Sequence, residues 1–89
     1  MNRLEQINVL EKFIETIDID GICGAWVDAD VTEDERIWVY IIIDLDWLDS
    51  IETKPGFVAN RMRQGMKSEI KQWTNIDVEV GSISKKCPE

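Results

Sequence analysis

The chain has 89 residues, 44% of them hydrophobic, with a formal net charge of −8 and no histidine. That length makes one domain, near the lower limit at which a single core holds without a staple or a partner. Lack of histidine removes Ser-His-Asp and Cys-His mechanisms and the usual nitrogen ligand of zinc. No apolar run approaches the roughly 20 residues of a membrane span, and the hydrophobic content and periodicity exclude a disordered chain.

The first residues, Met-Asn-Arg-Leu-Glu-Gln, carry neither the apolar core nor the cleavage site of a secretory signal, so a cytoplasmic protein is expected. Leu4, Ile7, Leu10, Ile14 and Ile17 then recur three and four apart, with Phe13 at the stripe's edge. They predict an amphipathic helix over residues 3–17, ended by Asp18, Asp20 and Gly21. Residues 22–31 alternate as a strand, with the small side chains of Cys23, Ala25, Val27, Ala29 and Val31 on one side, leaving room for a helix to lie close. Cys23 and Cys87 form no CxxC pair and lie far apart. Without a secretory signal they are expected as one buried thiol and one tail thiol rather than a disulfide.

Residues 36–47 carry the strongest signal. Ile37, Val39, Ile41, Ile43 and Leu45 share one side of a strand, while Trp38, Tyr40 and Ile42 occupy the other until it turns acidic at Asp44 and Asp46. A strand apolar on both faces needs two covers. The polar stretch 32–36 predicts an antiparallel hairpin with the preceding strand. Matching the core faces pairs Val31 with Ile37, Ala29 with Val39 and Val27 with Ile41, with Trp26 opposite Ile42 on the other side.

Residues 48–53 read as a connection, and Pro55 suits the first turn of a second helix whose buried stripe is Val58, Met62, Met66, Ile70 and Trp73. On its solvent side Arg63, Lys67 and Lys71 stand four apart. Ile76, Val78 and Val80 alternate with Asp77 and Glu79 in a third strand, and residues 85–89 close the chain as a flexible tail after a single domain over residues 1–84. The order helix, strand, strand, helix, strand predicts an α+β two-layer sandwich: a three-stranded antiparallel sheet in the order 3-1-2 with both helices on one face.

The opposite face is then open. Its members are Ile22, Trp26, Trp38, Tyr40 and Ile42, edged by Asp28 and Asp30 at one end and Asp44 and Asp46 at the other. Such a patch exceeds what a soluble monomer ordinarily leaves in water, so protein is expected to cover it, as a second copy packed sheet to sheet in a homodimer or as a different partner. The charge is polarised. Lys54, Arg61, Arg63, Lys67 and Lys71 face Glu69 alone within residues 54–71, giving that segment +4 and the remainder −12. An acidic surface repels nucleic acid and favours basic partners, including surfaces built to hold nucleic acid.

The Asp28/Asp30 and Asp44/Asp46 pairs invite a magnesium reading. In the expected register they stand four residues apart along the hairpin, about 13 Å at ~3.3 Å per residue, too far to share an ion. In its succession of helices and strands, with an Asp-x-Asp on the second strand, the chain resembles the small nucleotidyltransferase palm. It departs from that family in having no Gly-Ser at a suitable spacing before the aspartates, which close their strand rather than open it. Glu69 falls near the second helix's stripe, where a carboxylate stays at the rim, reaching water or Arg61, or acts as a functional acid.

The expected function is a non-enzymatic protein-binding module, with no catalytic residue, cofactor or metal. Trp26, Trp38, Tyr40, Ile42, Asp28, Asp30, Asp44 and Asp46 would engage the partner, in the manner of an inhibitor or immunity-like protein of a phage or mobile element whose acidic face mimics nucleic acid. Two alternatives compete with it. One is an RNA- or ribosome-associated domain using Arg61, Arg63, Lys67 and Lys71 on the second helix; the other is a degenerate nucleotidyltransferase-like domain.

Overall fold

The computed structural model describes residues 2–29, 36–51 and 53–87. Its elements run α1 (Arg3–Glu15), β1 (Ile22–Asp28), β2 (Trp38–Asp44), α2 (Leu45–Ile51), α3 (Phe57–Thr74) and β3 (Glu79–Lys85). Asn2 starts α1: its side chain, on extended backbone, accepts the Glu5 N–H at 2.8 Å, satisfying one of the helix's orphan donors. Ile7 and Leu10 enter the core, whereas Leu4, expected in the same stripe, is exposed.

The core gathers on one face of β2. Val39, Ile41 and Ile43 are wholly buried, and Ile7 and Leu10 of α1, Leu48 of α2, and Met66 and Ile70 of α3 pack into the same cluster. All three helices therefore serve one side of the sheet. Burying a Val, Leu or Ile side chain stabilises by roughly 1.5–3 kcal/mol, so this cluster is the main source of folding energy.

The two-layer α+β architecture is present, but the sheet differs from the expected one in order and direction. It is mixed, in the order β1-β2-β3, with β1 antiparallel to β2 and β3 parallel to β2. The order 3-1-2 would leave the most apolar strand on an edge with one ladder unpaired. The observed order gives β2 a neighbour on both sides, and the crossover through α2 and α3 returns the chain parallel beside the strand it left.

The hairpin register also differs. Val27 lies opposite Val39 and Trp26 opposite Tyr40, two residues from the expected pairing, with an irregularity between Ile22 and Gly24. Side chains alternate with period two, so this slip keeps the residues from Gly24 onward on their expected face while changing their neighbours, whereas the irregularity takes Ile22, expected on the open face, opposite Ile43 and against the core. Asp30 and residues 31–35, with the expected Val31–Ile37 pairing, lie outside the described residues.

Two connections are more ordered than expected. Residues 45–51 form α2, because Asp44 Oδ1 accepts the Asp46 N–H at 3.2 Å and caps the helix. Gly21, at φ +88°, has the Trp47 ring packed where a Cβ would stand, and its carbonyl accepts the Asp44 N–H at 2.8 Å. A side chain there would meet both backbone strain and the indole.

α3 follows Gly56 and stops at Asn75, whose left-handed backbone (φ 59°) directs its N–H to the Lys71 carbonyl at 2.9 Å. Of its expected stripe, Met66 and Ile70 are buried and Val58 and Met62 partly so, while Trp73 is 69% exposed. The third strand begins at Glu79 rather than at Ile76; Ile76 and Val78 are nevertheless buried in the lead-in.

Residues 85 and 87, expected in the tail, supply the last residue of β3 and a disulfide. Cys87 is bonded to Cys23 with a Cα separation of 6.3 Å, within the range such bonds span. This corrects the expectation of two free thiols: Cys23 is exposed beside the strand irregularity instead of buried in the helix layer. Sequence spacing carried no sign of the pairing, because it arises from the meeting of the first strand with the chain's far end. Among the described residues no helix is long and apolar enough to cross a membrane.

The bond closes a loop with a sequence separation of 64, which in the chain-entropy account stabilises the fold by about 4 kcal/mol. Adding a thiol reductant is expected to lower the wild-type urea midpoint to that of Cys87→Ser, a loss of about 2–4 kcal/mol. The Cys87→Ser midpoint should not respond to reductant. Equal midpoints for oxidised and reduced wild type would show that the bond contributes nothing.

Candidate functional site

The outer face of the sheet is built from alternate residues of its three strands. The register sets Trp26, Tyr40 and Gly81 in one row, Gly24, Ile42 and Ile83 in the next, and Asp28, Trp38 and Glu79 at one end. Large side chains of the central strand spread over glycines on the flanking strands. A Cβ on Gly81 would lie 2.5 Å from the Tyr40 ring, and one on Gly24 would lie 3.1 Å from Ile42 Cδ1. Gly81 is thus the floor on which Tyr40 rests.

Tyr40 is the centre of an aromatic row. Its ring lies 5.2 Å from that of Trp26 at 16° and 5.8 Å from that of Trp38 at 18°, both offset-stacked. Such pairs contribute about 0.5–1.5 kcal/mol each beyond their area. The two sides of the sheet differ: Val39, Ile41 and Ile43 of β2 have no exposure, while on the outer side Trp38 of β2 is 40%, Trp26 of β1 38% and Ile83 of β3 42% exposed, with Tyr40 and Ile42 half-buried between them. Among the described residues nothing covers this face.

The expected acidic rim is only partly brought together. Asp28 is exposed opposite Trp38. Asp44 stands at the far end of β2, opposite Lys85 on β3, where its side chain caps α2 and Asp46 occupies that helix's first turn. The aspartates of this pair are therefore helix-starting residues, a role their Asp-x-Asp spacing did not suggest. In the observed register Asp44 stands six positions along β2 from Trp38, the partner of Asp28, about 20 Å at ~3.3 Å per residue. Among the described residues no group of three His, Cys, Asp or Glu side chains could hold a metal ion.

Of the four basic residues of α3, Lys67 and Lys71 lie on its solvent side, with Arg63 half-buried, and these three are engaged with neighbours. Arg63 Nη1 donates to Ser82 Oγ at 2.7 Å, Lys67 pairs with Glu79 at 3.4 Å, and Lys71 pairs with Asp77 at 3.2 Å. Three of the four thus tie α3 to the β3 side of the sheet, while Arg61 lies over the Phe57 ring at 5.8 Å. Glu69 is exposed and accepts the Trp73 indole N–H at 2.8 Å rather than meeting Arg61.

Glu79 joins this seam to the aromatic face. The guanidinium of Arg36, 2.5 Å away, and then the Lys67 ammonium hold its carboxyl below the usual glutamate range. A depressed native pKa stabilises the fold above the unfolded value and loses that contribution as pH falls through the native one. The stability difference between wild type and Glu79→Gln, followed by circular dichroism during urea unfolding, should therefore shrink as pH drops below about 4. A difference independent of pH would show that the ion pairs do not act in solution.

Comparison with known proteins adds no relative: no protein-family model, curated protein or solved structure matches this chain.

Gly81→Ala tests the packing of the row. The added methyl group must displace Tyr40, so the near-ultraviolet circular dichroism of the stacked rings should fall while the far-ultraviolet spectrum is kept, at a cost of about 1 kcal/mol in stability. An unchanged near-ultraviolet spectrum would mean that Tyr40 does not rest on Gly81.

Proposed function

We propose that this is a non-enzymatic protein-binding module that engages a protein partner through the outer sheet face, with Trp26, Trp38, Tyr40 and Ile42 as apolar contacts and Asp28 as the acid beside them. The observation that carries the reading is the stacked Trp26, Tyr40 and Trp38 row, which stands on a fixed sheet and is open to solvent. Large aromatics dominate interface hot spots, and rigid ones lose little entropy on binding. The rings also stack on one another, so their mutual faces are already used, which suits apolar side chains better than intercalated bases.

Dimensions favour a different protein over a second copy. Three strands of seven residues give a footprint of roughly 14 by 23 Å, on the order of 300 Å². Standard interfaces use about 800 Å² per partner, so two copies laid sheet to sheet would share a small contact while each carries −8. A partner that reaches past the sheet onto Asp28 and the acidic end at Asp44 and Asp46 gains area and charge together. The narrower inhibitor or immunity-like role belongs to this proposal and is supported by small size and acidity. The RNA-associated alternative is less favoured, since Arg63, Lys67 and Lys71 are engaged with Ser82, Glu79 and Asp77.

A cytoplasmic setting is also part of the proposal, and the Cys23–Cys87 bond gives it a readout. Thiols are kept reduced there, so alkylation in cells before lysis should find both cysteines free, whereas a retained bond would indicate an oxidising compartment.

The face itself is tested by light scattering across a dilution series, followed by affinity capture with wild type, Trp38→Ala and Asp28→Lys, each checked for native circular dichroism. A monomer whose captured protein is lost in both folded variants is the expected outcome. A dimer abolished by Trp38→Ala would give the face to a second copy, and a target held equally by all three proteins would overturn the proposal.

A further inference from the structure

The helix layer carries a second opening, on the opposite side of the molecule from the aromatic row. A cleft of about 600 Å³ lies between the C-terminal halves of α1 and α3, walled by Val9, Phe13, Ile17, Met66 and Trp73. That volume falls within the range of small-molecule sites, and its walls have their apolar character. A smaller recess of about 230 Å³ continues it along α3 past Met62 and Gly65, where a Cβ would meet nothing within 4 Å.

Trp73 is the anomaly that gives the cleft a chemistry. It is the most exposed of the large hydrophobic side chains among the described residues, at 69%, yet its indole N–H is held at 2.8 Å by Glu69 one helical turn earlier. The bond fixes the ring as a wall and leaves the carboxylate charge beside it, since a neutral N–H does not neutralise an anion. Asp18 adds a second negative charge at the lining, against Lys12 alone. Both helices present their C-terminal ends here, α1 closing at Glu15 and α3 at Thr74, and each such end acts as about half a negative charge. An aromatic wall, a carboxylate and two helix C-termini select one sign of ligand.

We infer that this cleft binds a small organic cation with an apolar body, its charge over the Trp73 ring beside Glu69 and its apolar part against Phe13, Ile17 and Met66. Attraction of a cation to an indole face supplies part of the selectivity, and the carboxylate and helix ends supply the rest. The site is independent of the sheet face, so either can fail without the other.

The probes are benzyltrimethylammonium, neutral benzyl alcohol and anionic phenylacetate, titrated into the full chain labelled with nitrogen-15. The Trp73 indole resonance is assigned from Trp73→Phe. The cation should shift this resonance and the Gly65 amide saturably, with affinity about tenfold above that for the neutral or anionic probe. Glu69→Gln keeps a hydrogen-bond acceptor for the indole and should weaken the cation about fivefold without altering the neutral probe; Trp73→Ala should abolish the response at Gly65. Absence of a saturable shift, equal affinities for the three probes, or undiminished binding by folded Trp73→Ala would each overturn the inference.

Discussion

The structure depends on one constraint: β2 is apolar on both faces and can be covered from within the chain on only one. Val39, Ile41 and Ile43 take the helices, and among the described residues the other face receives none. A strand of this kind is most stable in the middle of a sheet, where both of its hydrogen-bonding edges are paired, and β1 and β3 occupy those edges. Glycines on both neighbours then let Tyr40 and Ile42 lie down across the sheet. Their packing lowers the exposure of the outer face without closing it, so the exposed Trp26 and Trp38 follow from the same arrangement that stabilises the core.

Charge is organised around this frame rather than spread for solubility alone. The basic residues of α3 look from their spacing like a free electropositive stripe, yet they meet Glu79, Asp77 and Ser82 along the β3 side. Exposed ion pairs contribute little individually, and their larger effect here is on the surface potential. Lys67 and Lys71 share their charge with nearby carboxylates while the chain outside residues 54–71 carries −12, a balance that disfavours phosphate-bearing ligands and favours basic surfaces. Asp44 likewise turns inward to a local task, starting α2, so that an apparent acidic site becomes part of the connection to the crossover.

In its oxidised form this small domain with one core also has a covalent tie. The Cys23–Cys87 bond joins the first strand to the segment after the last, so the two ends of the sheet's chain path restrain each other. Together with the α3 seam it holds β3, whose Gly81 underlies Tyr40. The outer face is therefore supported by contacts distant from it in sequence.

Much of this was legible in the residues themselves. Period-two alternation placed Trp26, Trp38 and Tyr40 on one face and Val39, Ile41 and Ile43 on the other, and the three-and-four spacing marked α1 and α3, because side-chain direction is a local property of backbone geometry. Neighbour identity is not local. A slip of two residues preserves each face, so the sequence determined that the aromatics share a side but not that Trp26 meets Tyr40. Strand order, the parallel β3, the α3 seam and the disulfide were likewise decided only by tertiary structure. Each requires knowing which distant segments come together, and that is settled by how the helices and strands jointly cover a single strand.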